Sequence, residues 1–481
     1  MEKTSLKKNF IMNAILTMSS ILFPLISFRY VSQILGPVGT GKVSFATSFI
    51  TYFNMFAQLG IPTYGIRTCA KVRDDKTELS RTVHELLTIN LFLSLIAYIT
   101  LAVVLLTVPR FQEDRILYVI ISSTIILNTI GVEWLYRGLE QYSYITKRSL
   151  FFKVVALAAM FLMIHTKDDY VQYGFITILA ASASNILNFI NMRKYVTFKP
   201  VGGYNYMRHM QPIGVFFAMA CAATVYTNLD AVMLGFIHSD EEVGYYNAAV
   251  KIKTVLVSLV TSLGTVLLPR VSYYISHGQT EEFRNITRKA IQFVFLIATP
   301  LMIYFMIYAR EGIYLLSGSQ FEKSVQPMQV IMPTLLFIGM SNVTGIQILL
   351  PLGKERVVLY SEIVGAIVDT IINILLIPKM GATGAAIGTV IAEFAVLVVQ
   401  LYALRNEVLD FFLHYNYLRL ITAIVLSSAA CWWVKWMNFG TFVSLLISSI
   451  CFFSVYLIVL LLFKDPMMEY IVQSVLRRKK A

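Results

Sequence analysis

The chain has 481 residues, of which 57% are hydrophobic and only 14% charged, and its mean hydropathy is +0.68; soluble domains are roughly half apolar and a quarter charged. Long apolar stretches with short polar breaks leave no room for a separate soluble domain, so a single membrane domain is expected. The net charge of +13 fits a topological excess of Lys and Arg better than nucleic-acid binding, and Cys69, Cys221, Cys431 and Cys451 are too scattered for a zinc site or a redox pair.

Lys3, Lys7 and Lys8 precede an apolar stretch that runs to about Gln33, longer than the core of a cleaved signal peptide, so it reads as a retained first span. A ruler of about 20 mainly apolar residues per crossing gives about fourteen spans and an all-α, polytopic fold. The first six run approximately Phe10 to Gln33, Gly39 to Gly60, Thr82 to Val108, Ile116 to Tyr136, Ser149 to His165 and Tyr170 to Asn191. The next six run Met210 to Gly235, Val243 to Leu268, Ala290 to Ala309, Val325 to Leu350, Val357 to Ile377 and Ala382 to Leu404; Leu420 to Lys435 and Phe439 to Phe463 follow. With the N-terminus in the cytoplasm, loops and tails hold about 28 basic residues inside and about 7 outside. Arg67, Lys71, Arg73, Lys76 and Arg81 form one inner cluster, Arg193, Lys194, Lys199 and Arg208 another, and Arg477, Arg478, Lys479 and Lys480 end the tail. Both termini are therefore expected inside, with an even number of spans, twelve if two weak ones fail.

The pair of spans one and two resembles the pair seven and eight. Leu35-Gly36 before Gly41 to Ala46 matches Leu234-Gly235 before Gly244 to Ala249, and Leu59-Gly60 with Arg67 matches Leu263-Gly264 with Arg270. This predicts two homologous six-helix lobes around a central cavity, residues 1–200 and 201–410, with two additional helices and a basic tail in 411–481. The stretch Gly36 to Lys42 has the glycine and lysine spacing of a nucleotide phosphate loop, but Val43 stands where Ser or Thr would hold magnesium, and no strand is expected before it. Close helix packing is the better reading of these glycines.

Charges within spans are costly and need a partner, a wet cavity or a function. The basic set is Arg29, Lys42, Lys153, Lys251 and Lys253. Lys251, about eight residues or roughly 12 Å into its helix, is the leading candidate for a cavity cation. Arg29 and Lys42 read as substrate contacts or interfacial anchors, and Lys153 as an anchor. The acidic set is Asp230, Glu362, Asp369 and Glu393, with Glu133 near an inner boundary. Glu362, Asp369 and Asn373 share one helical face, either as a proton or sodium site or as structural hydrogen-bonding groups. Asp230, one turn from Asn228, could neutralise a lysine.

The stretches Phe28 to Pro37, Gly60 to Arg67, Gly131 to Tyr136, Tyr226 to Asp230, Gly244 to Tyr246, Ser262 to Arg270 and Gly345 to Lys354 resemble those of Wzx-type (RfbX-type) polysaccharide flippases. These belong to the multidrug/oligosaccharidyl-lipid/polysaccharide exporter superfamily, and the resemblance runs along nearly the whole chain. It implies a flippase of the bacterial plasma membrane, moving undecaprenyl-pyrophosphate-linked oligosaccharide to the outer leaflet for capsule, exopolysaccharide or O-antigen assembly. It also implies ion-coupled alternating access with Na+ or H+, no other cofactor, and partnership with a polymerase and chain-length machinery. Arg29, Lys42, Lys251, Lys253 and Asn228 are the expected substrate-binding residues, and Asp230, Glu362, Asp369 and Glu393 the expected ion-coupling residues. The Arg-Asp pair of peptidoglycan-precursor flippases is not present, since Tyr30 follows Arg29. A multidrug exporter of the same superfamily is the nearest rival. A membrane sugar polymerase or glycosyltransferase is disfavoured, because the longest outer loop, Arg310 to Ser324, is about fifteen residues and has no histidine.

Overall fold

The computed structural model describes residues 6–405, 416–437 and 439–469, without the side chains at 6, 7, 10, 219, 263–270, 272 and 276. The terminal clusters around Lys3 and Arg477 to Lys480, and the side chain of Arg270, lie outside the described residues. No strand occurs among those described. Their contacts group into two units, Met1–Gly244 and Tyr245–Ala481.

The first unit begins with α1 (Leu6–Gln58). As one rod its 53 residues would extend about 80 Å, far beyond a hydrocarbon core of about 30 Å. Gly36 breaks it, at φ 64° and ψ −172°, a conformation open to glycine because it has no Cβ. The two arms have different neighbours. Met12 carbonyl accepts from Thr146 Oγ1 at 2.9 Å and Ile164 carbonyl from Tyr30 OH at 3.0 Å, so the first arm follows α6 (Tyr142–Met163). Lys42 Nζ lies 2.9 Å from Asp114, and Gln58 Nε2 donates to Thr129 Oγ1 at 3.1 Å, so the second arm follows α4 (Arg115–Gly131). The unit is completed by α2 (Ile61–Val72), α3 (Lys76–Thr107), α5 (Glu133–Gly138), α7 (Tyr170–Ala181), α8 (Asn185–Met192) and α9 (Met207–Ile237), with the first turn of α10 (Asp240–Ser276).

The two glycines that the expected repeat aligns, Gly41 and Gly244, pack against each other's helix ends in this unit. A Cβ placed on Gly41 would lie 1.7 Å from Asp240 O, and one on Gly244 would lie 2.0 Å from Pro37 O. Pro37 and Asp240 each precede their glycine by four residues, so the contact is reciprocal, as at an isologous interface.

The second unit continues α10 and adds α11 (Thr280–Ile307), α12 (Ala309–Ser317), α13 (Val325–Ile331), α14 (Thr334–Ser341), a π-helical stretch Asn342–Leu349, α15 (Glu355–Ala403), α16 (Tyr417–Trp432) and α17 (Thr441–Leu462). Gly381, at φ 51°, folds α15 back on itself. A Cβ on Gly384 would lie 2.7 Å from the Leu376 carbonyl, although residues eight apart in a straight helix are about 12 Å apart. The last two helices are held by Tyr304 OH to Leu445 O at 3.0 Å, Tyr308 OH to Cys431 O at 2.6 Å and Tyr456 OH to Leu296 O at 2.9 Å.

All fourteen expected spans fall on helix. Among the described residues, eight helices are long and apolar enough to cross a membrane, nine if the pair bent by 46° near Thr334 is one span. Two of the eight include the folded α1 and α15. Apolar side chains such as Leu162, Ile116 and Leu462 are exposed, which suits a surface facing lipid while the helices satisfy their own backbone groups.

Candidate functional site

A cavity of about 370 Å³ opens within the first unit, lined mainly by polar side chains. Asn54 and Gln58 come from the second arm of α1, Pro62, Thr63 and Ile66 from α2, Asn128 from α4, Glu133, Trp134 and Arg137 from α5, and Ala181 and Asn185 from α7 and the start of α8. A break in α4–α5 at Val132, which has φ 37°, turns the acidic-aromatic-basic stretch of α5 into this space. Gly131 lets α4 approach Asn185, since a Cβ there would lie 2.5 Å from Asn185 Cγ.

A continuous hydrogen-bonded chain fixes the wall. Asn128 Nδ2 donates to Asn54 Oδ1 at 3.2 Å, and Asn128 Oδ1 accepts from Asn185 Nδ2 at 3.1 Å and Ser182 Oγ at 3.3 Å. Asn185 Oδ1 accepts from Arg148 Nη1 at 2.9 Å, and Arg148 Nη2 donates to Glu133 Oε2 at 3.0 Å. Arg137 donates twice to Glu133 Oε1, at 3.0 and 2.7 Å. Arg148 is 5% exposed, and a buried guanidinium is tolerable only with such partners. The Trp134 indole packs over Gly65, where a Cβ would lie 2.8 Å from the ring, and its Nε1 has no hydrogen-bond acceptor among the described residues.

Two ionic clusters flank this unit. At the end near Asp240, Arg110 bonds to Asp240 and, at 3.2 Å, to Gly235 O, and its guanidinium lies 5.0 Å from the centre of the Phe45 ring. Burial pushes the Asp240 carboxyl above its ordinary range although Arg110 pulls the other way. At the opposite end, buried Glu85 accepts from Asn205 N at 2.5 Å, Arg208 Nη2 at 2.6 Å and His209 Nε2 at 2.7 Å.

The candidates from sequence fall in several places. Arg29 is exposed on the first arm of α1. Lys42 is held by Asp114 and sits 4.7 Å from the Tyr170 ring centre. Lys153 donates to Ser19 and Ser20 hydroxyls at 2.8 and 3.0 Å, joining α6 to α1. Asn228 donates to Thr224 O and to Thr227 Oγ1, both at 3.1 Å, and Asp230 is buried. In the second unit Lys251 and Lys253 are half-buried on α10. Asp369 and Asn373 are buried on the first arm of α15 and face the second: a Cβ on Gly388 would lie 2.3 Å from Asn373 Oδ1 and 3.0 Å from Asp369 Oδ1. Thr389, beside that glycine, pairs with Tyr246 OH at 2.9 Å, and Glu393 is buried one turn further. The buried stripe of the first arm is Ser361, Gly365, Asp369, Asn373 and Ile377, leaving Glu362 half-buried at its edge.

Sequence reasoning missed the amide-rich cavity because it took up amides only beside charged residues within spans, as at Asn228 and Asn373. Asn54, Gln58, Asn128, Asn185 and Asn188 recur near the expected inner ends of spans two, four and six, and that recurrence was the available signal. Arg148 lay one residue outside the expected fifth span, yet it belongs to α6.

A family model described as polysaccharide biosynthesis protein matches residues 6–275, and a second, MatE, matches 216–375. A putative O-antigen transporter of Escherichia coli (strain K12) is 24% identical over 84% of this chain and 98% of its own length. Among solved structures, the lipid II flippase MurJ in an inward closed conformation has a TM-score of 0.72 at 16% identity, covering 95% of this chain and 100% of that one. An inward-facing multidrug resistance MATE family transporter has a TM-score of 0.61 at 14% identity, over 85% and 100% of the two chains. These likenesses give the fold, and the first match spans more than half of the sequence: the chain is a multi-pass membrane protein that belongs to the polysaccharide biosynthesis protein family, within the multidrug/oligosaccharidyl-lipid/polysaccharide exporter superfamily.

Proposed function

We propose that the protein is a flippase that carries undecaprenyl-pyrophosphate-linked oligosaccharide from the inner to the outer leaflet of a bacterial plasma membrane, with both termini cytoplasmic, to feed surface polysaccharide assembly. The observation that carries this reading is the similarity over 98% of the length of a putative O-antigen transporter. The chemistry agrees. A pyrophosphate entering a low-dielectric region needs cations to compensate it, and Arg29, Lys251 and Lys253 supply them within otherwise apolar helices. The cargo lipid stays in the bilayer while its headgroup is exposed alternately to the two sides. Inward flow of H+ or Na+ resets the carrier through buried carboxylates, for which Asp369 beside Asn373 is the first choice, with Asp230, Glu362 and Glu393 as further candidates. Delivery to a polymerase and chain-length machinery completes the reading.

The MatE match over residues 216–375 supports a second reading, export of small cations. Cationic side chains at 29, 251 and 253 oppose a cationic cargo. The test is transfer of a labelled undecaprenyl-pyrophosphate oligosaccharide between leaflets in proteoliposomes. Wild type is expected to move it, and Lys251→Ala and Arg29→Ala to slow it about tenfold or more with folding intact, the equivalent of 1.4 kcal/mol or more in the barrier. No transfer of any lipid-linked sugar, together with export of small cations, replaces this reading with the second.

A further inference from the structure

We infer that the cavity between α1, α2, α4, α5, α7 and α8 is a carbohydrate subsite that takes one sugar ring of the lipid-linked headgroup, contacting it through Asn54, Gln58, Thr63 and Trp134. The identity of the ligand as part of a lipid-linked cargo rests on the flippase reading; the sugar chemistry rests on the cavity itself.

Its size of about 370 Å³ lies within the range of small-ligand pockets. Its lining selects among ligand classes. A metal or alkali cation would need carboxylate oxygens, but the single carboxylate of the wall, Glu133, already accepts from Arg137 and Arg148 on both oxygens. The two guanidiniums share one carboxylate, Glu133, so the trio keeps a single net positive charge, less than a doubly charged pyrophosphate needs for compensation in a low-dielectric region. An acyl chain would leave the amides and the ion pair desolvated without partners. What remains is a neutral ligand that donates and accepts on one face and has an apolar rim, which describes a pyranose.

The atoms left over fit that ligand. Among the described residues Asn54 engages only its Oδ1 and Gln58 only its Nε2, which leaves an amide donor at 54 and an amide acceptor at 58. Thr63 is exposed on α2 and adds a hydroxyl with both capacities. Trp134, 3% exposed, lines the cavity with the accessible part of its ring and supplies an apolar surface for a sugar face; its Nε1 is itself buried away from the space. Asn128, Asn185, Arg148 and Glu133 hold the set in place from behind. All of these residues stand at the ends of spans expected on the cytoplasmic side, where the headgroup would be loaded.

The protein has four tryptophans, of which Trp432, Trp433 and Trp436 are far from 134 in sequence. A full-length chain with those three changed to Phe therefore reports on Trp134 alone. Titrated with methyl glycosides of glucose, galactose, rhamnose, N-acetylglucosamine and glucuronic acid, it is expected to show a saturable change in emission for at least one. Asn54→Ala and Thr63→Val are expected to weaken that response about tenfold, while sodium chloride and inorganic phosphate leave the emission unchanged. Thr63, exposed and with no side-chain hydrogen bond among the described residues, can be changed without loosening the wall. A chain that melts like wild type but responds to no glycoside overturns the inference, and so does a response that neither variant alters or that phosphate reproduces. In proteoliposomes, undecaprenyl-pyrophosphate bearing one N-acetylglucosamine is compared with the bare carrier. Failure to move either lipid, with glycoside binding intact, overturns the flippase reading and leaves the sugar site standing.

Discussion

Gly41→Ala is expected to lower leaflet transfer about tenfold or more and to destabilise the protein, although it adds a single methyl group. The added Cβ would sit 1.7 Å from Asp240 O and 2.9 Å from Gly244 N. Both are backbone atoms, so no rotamer change relieves the clash, and α1 must move away from the first turn of α10. Overpacking of this kind costs about 1–3 kcal/mol where side chains can adjust, and here they cannot. Gly244→Ala should behave alike, because its Cβ would meet Pro37 O at 2.0 Å. Gly214→Ala is the control: nothing lies within 4 Å of its added Cβ, and the exchange gains about 1 kcal/mol in helix propensity. Thermal unfolding in detergent and leaflet transfer in proteoliposomes would be measured for all three. If Gly41→Ala matched Gly214→Ala, the glycine contact would have no part in holding these helix ends together.

The contact also shows how much of the architecture was legible in the sequence. Apolar runs alone locate the helices, because each crossing must satisfy its own backbone in lipid. The Leu-Gly repeat identified the residues that pack at Gly41 and Gly244, and the same reading dismissed the phosphate-loop spacing of Gly36 to Lys42. The hairpin at Gly381 follows from the two apolar runs that flank Pro378. Contacts between distant helices were not legible. Glu362, Asp369 and Asn373 share a face by spacing, yet packing against the second arm of α15 centres the buried stripe on Asp369 and Asn373. Lys42 reads as a substrate contact or an interfacial anchor, and neither reading foresees the ion pair it makes: its partner Asp114 lies 72 residues on, and no periodicity connects them. The cavity was hidden for a different reason: its amides carry no charge, and a reading that takes up amides only next to ionised groups, as at Asn228 and Asn373, passes over Asn54, Asn128 and Asn185.

A second large effect is expected at Glu85, which lies just inside the expected third span, Thr82 to Val108, yet stands outside the acidic set read from the sequence. Its side chain is completely buried. Besides Asn205 N, Arg208 and His209, it engages Tyr64 indirectly, through the 2.8 Å bond between Tyr64 OH and His209 Nδ1. Arg208 also reaches Glu78 at 2.8 Å, and His84 Nε2 lies 2.8 Å from Thr197 O, so the polar segment between α8 and α9 is tied down on α3 along its length. Glu85→Leu would leave the His209 ring and the Asn205 amide without their acceptor, and Arg208 with only part of its compensation. Removing one member of a buried charged set costs about 3–5 kcal/mol, which chemical or thermal unfolding would resolve. Glu85→Gln keeps the shape and one acceptor oxygen and should fall between Glu85→Leu and wild type. If Gln were as stable as Glu, hydrogen-bond geometry rather than charge would hold the segment. The damage should also reach the cavity, because Ile213 of α9 and Leu79 and Val83 of α3 share one hydrophobic cluster with Trp134 and Tyr136. A loosened α3–α9 contact therefore frees the indole that closes one side of the proposed sugar site, and Glu85→Leu should weaken the Trp134 response to glycosides even though Glu85 does not line the cavity.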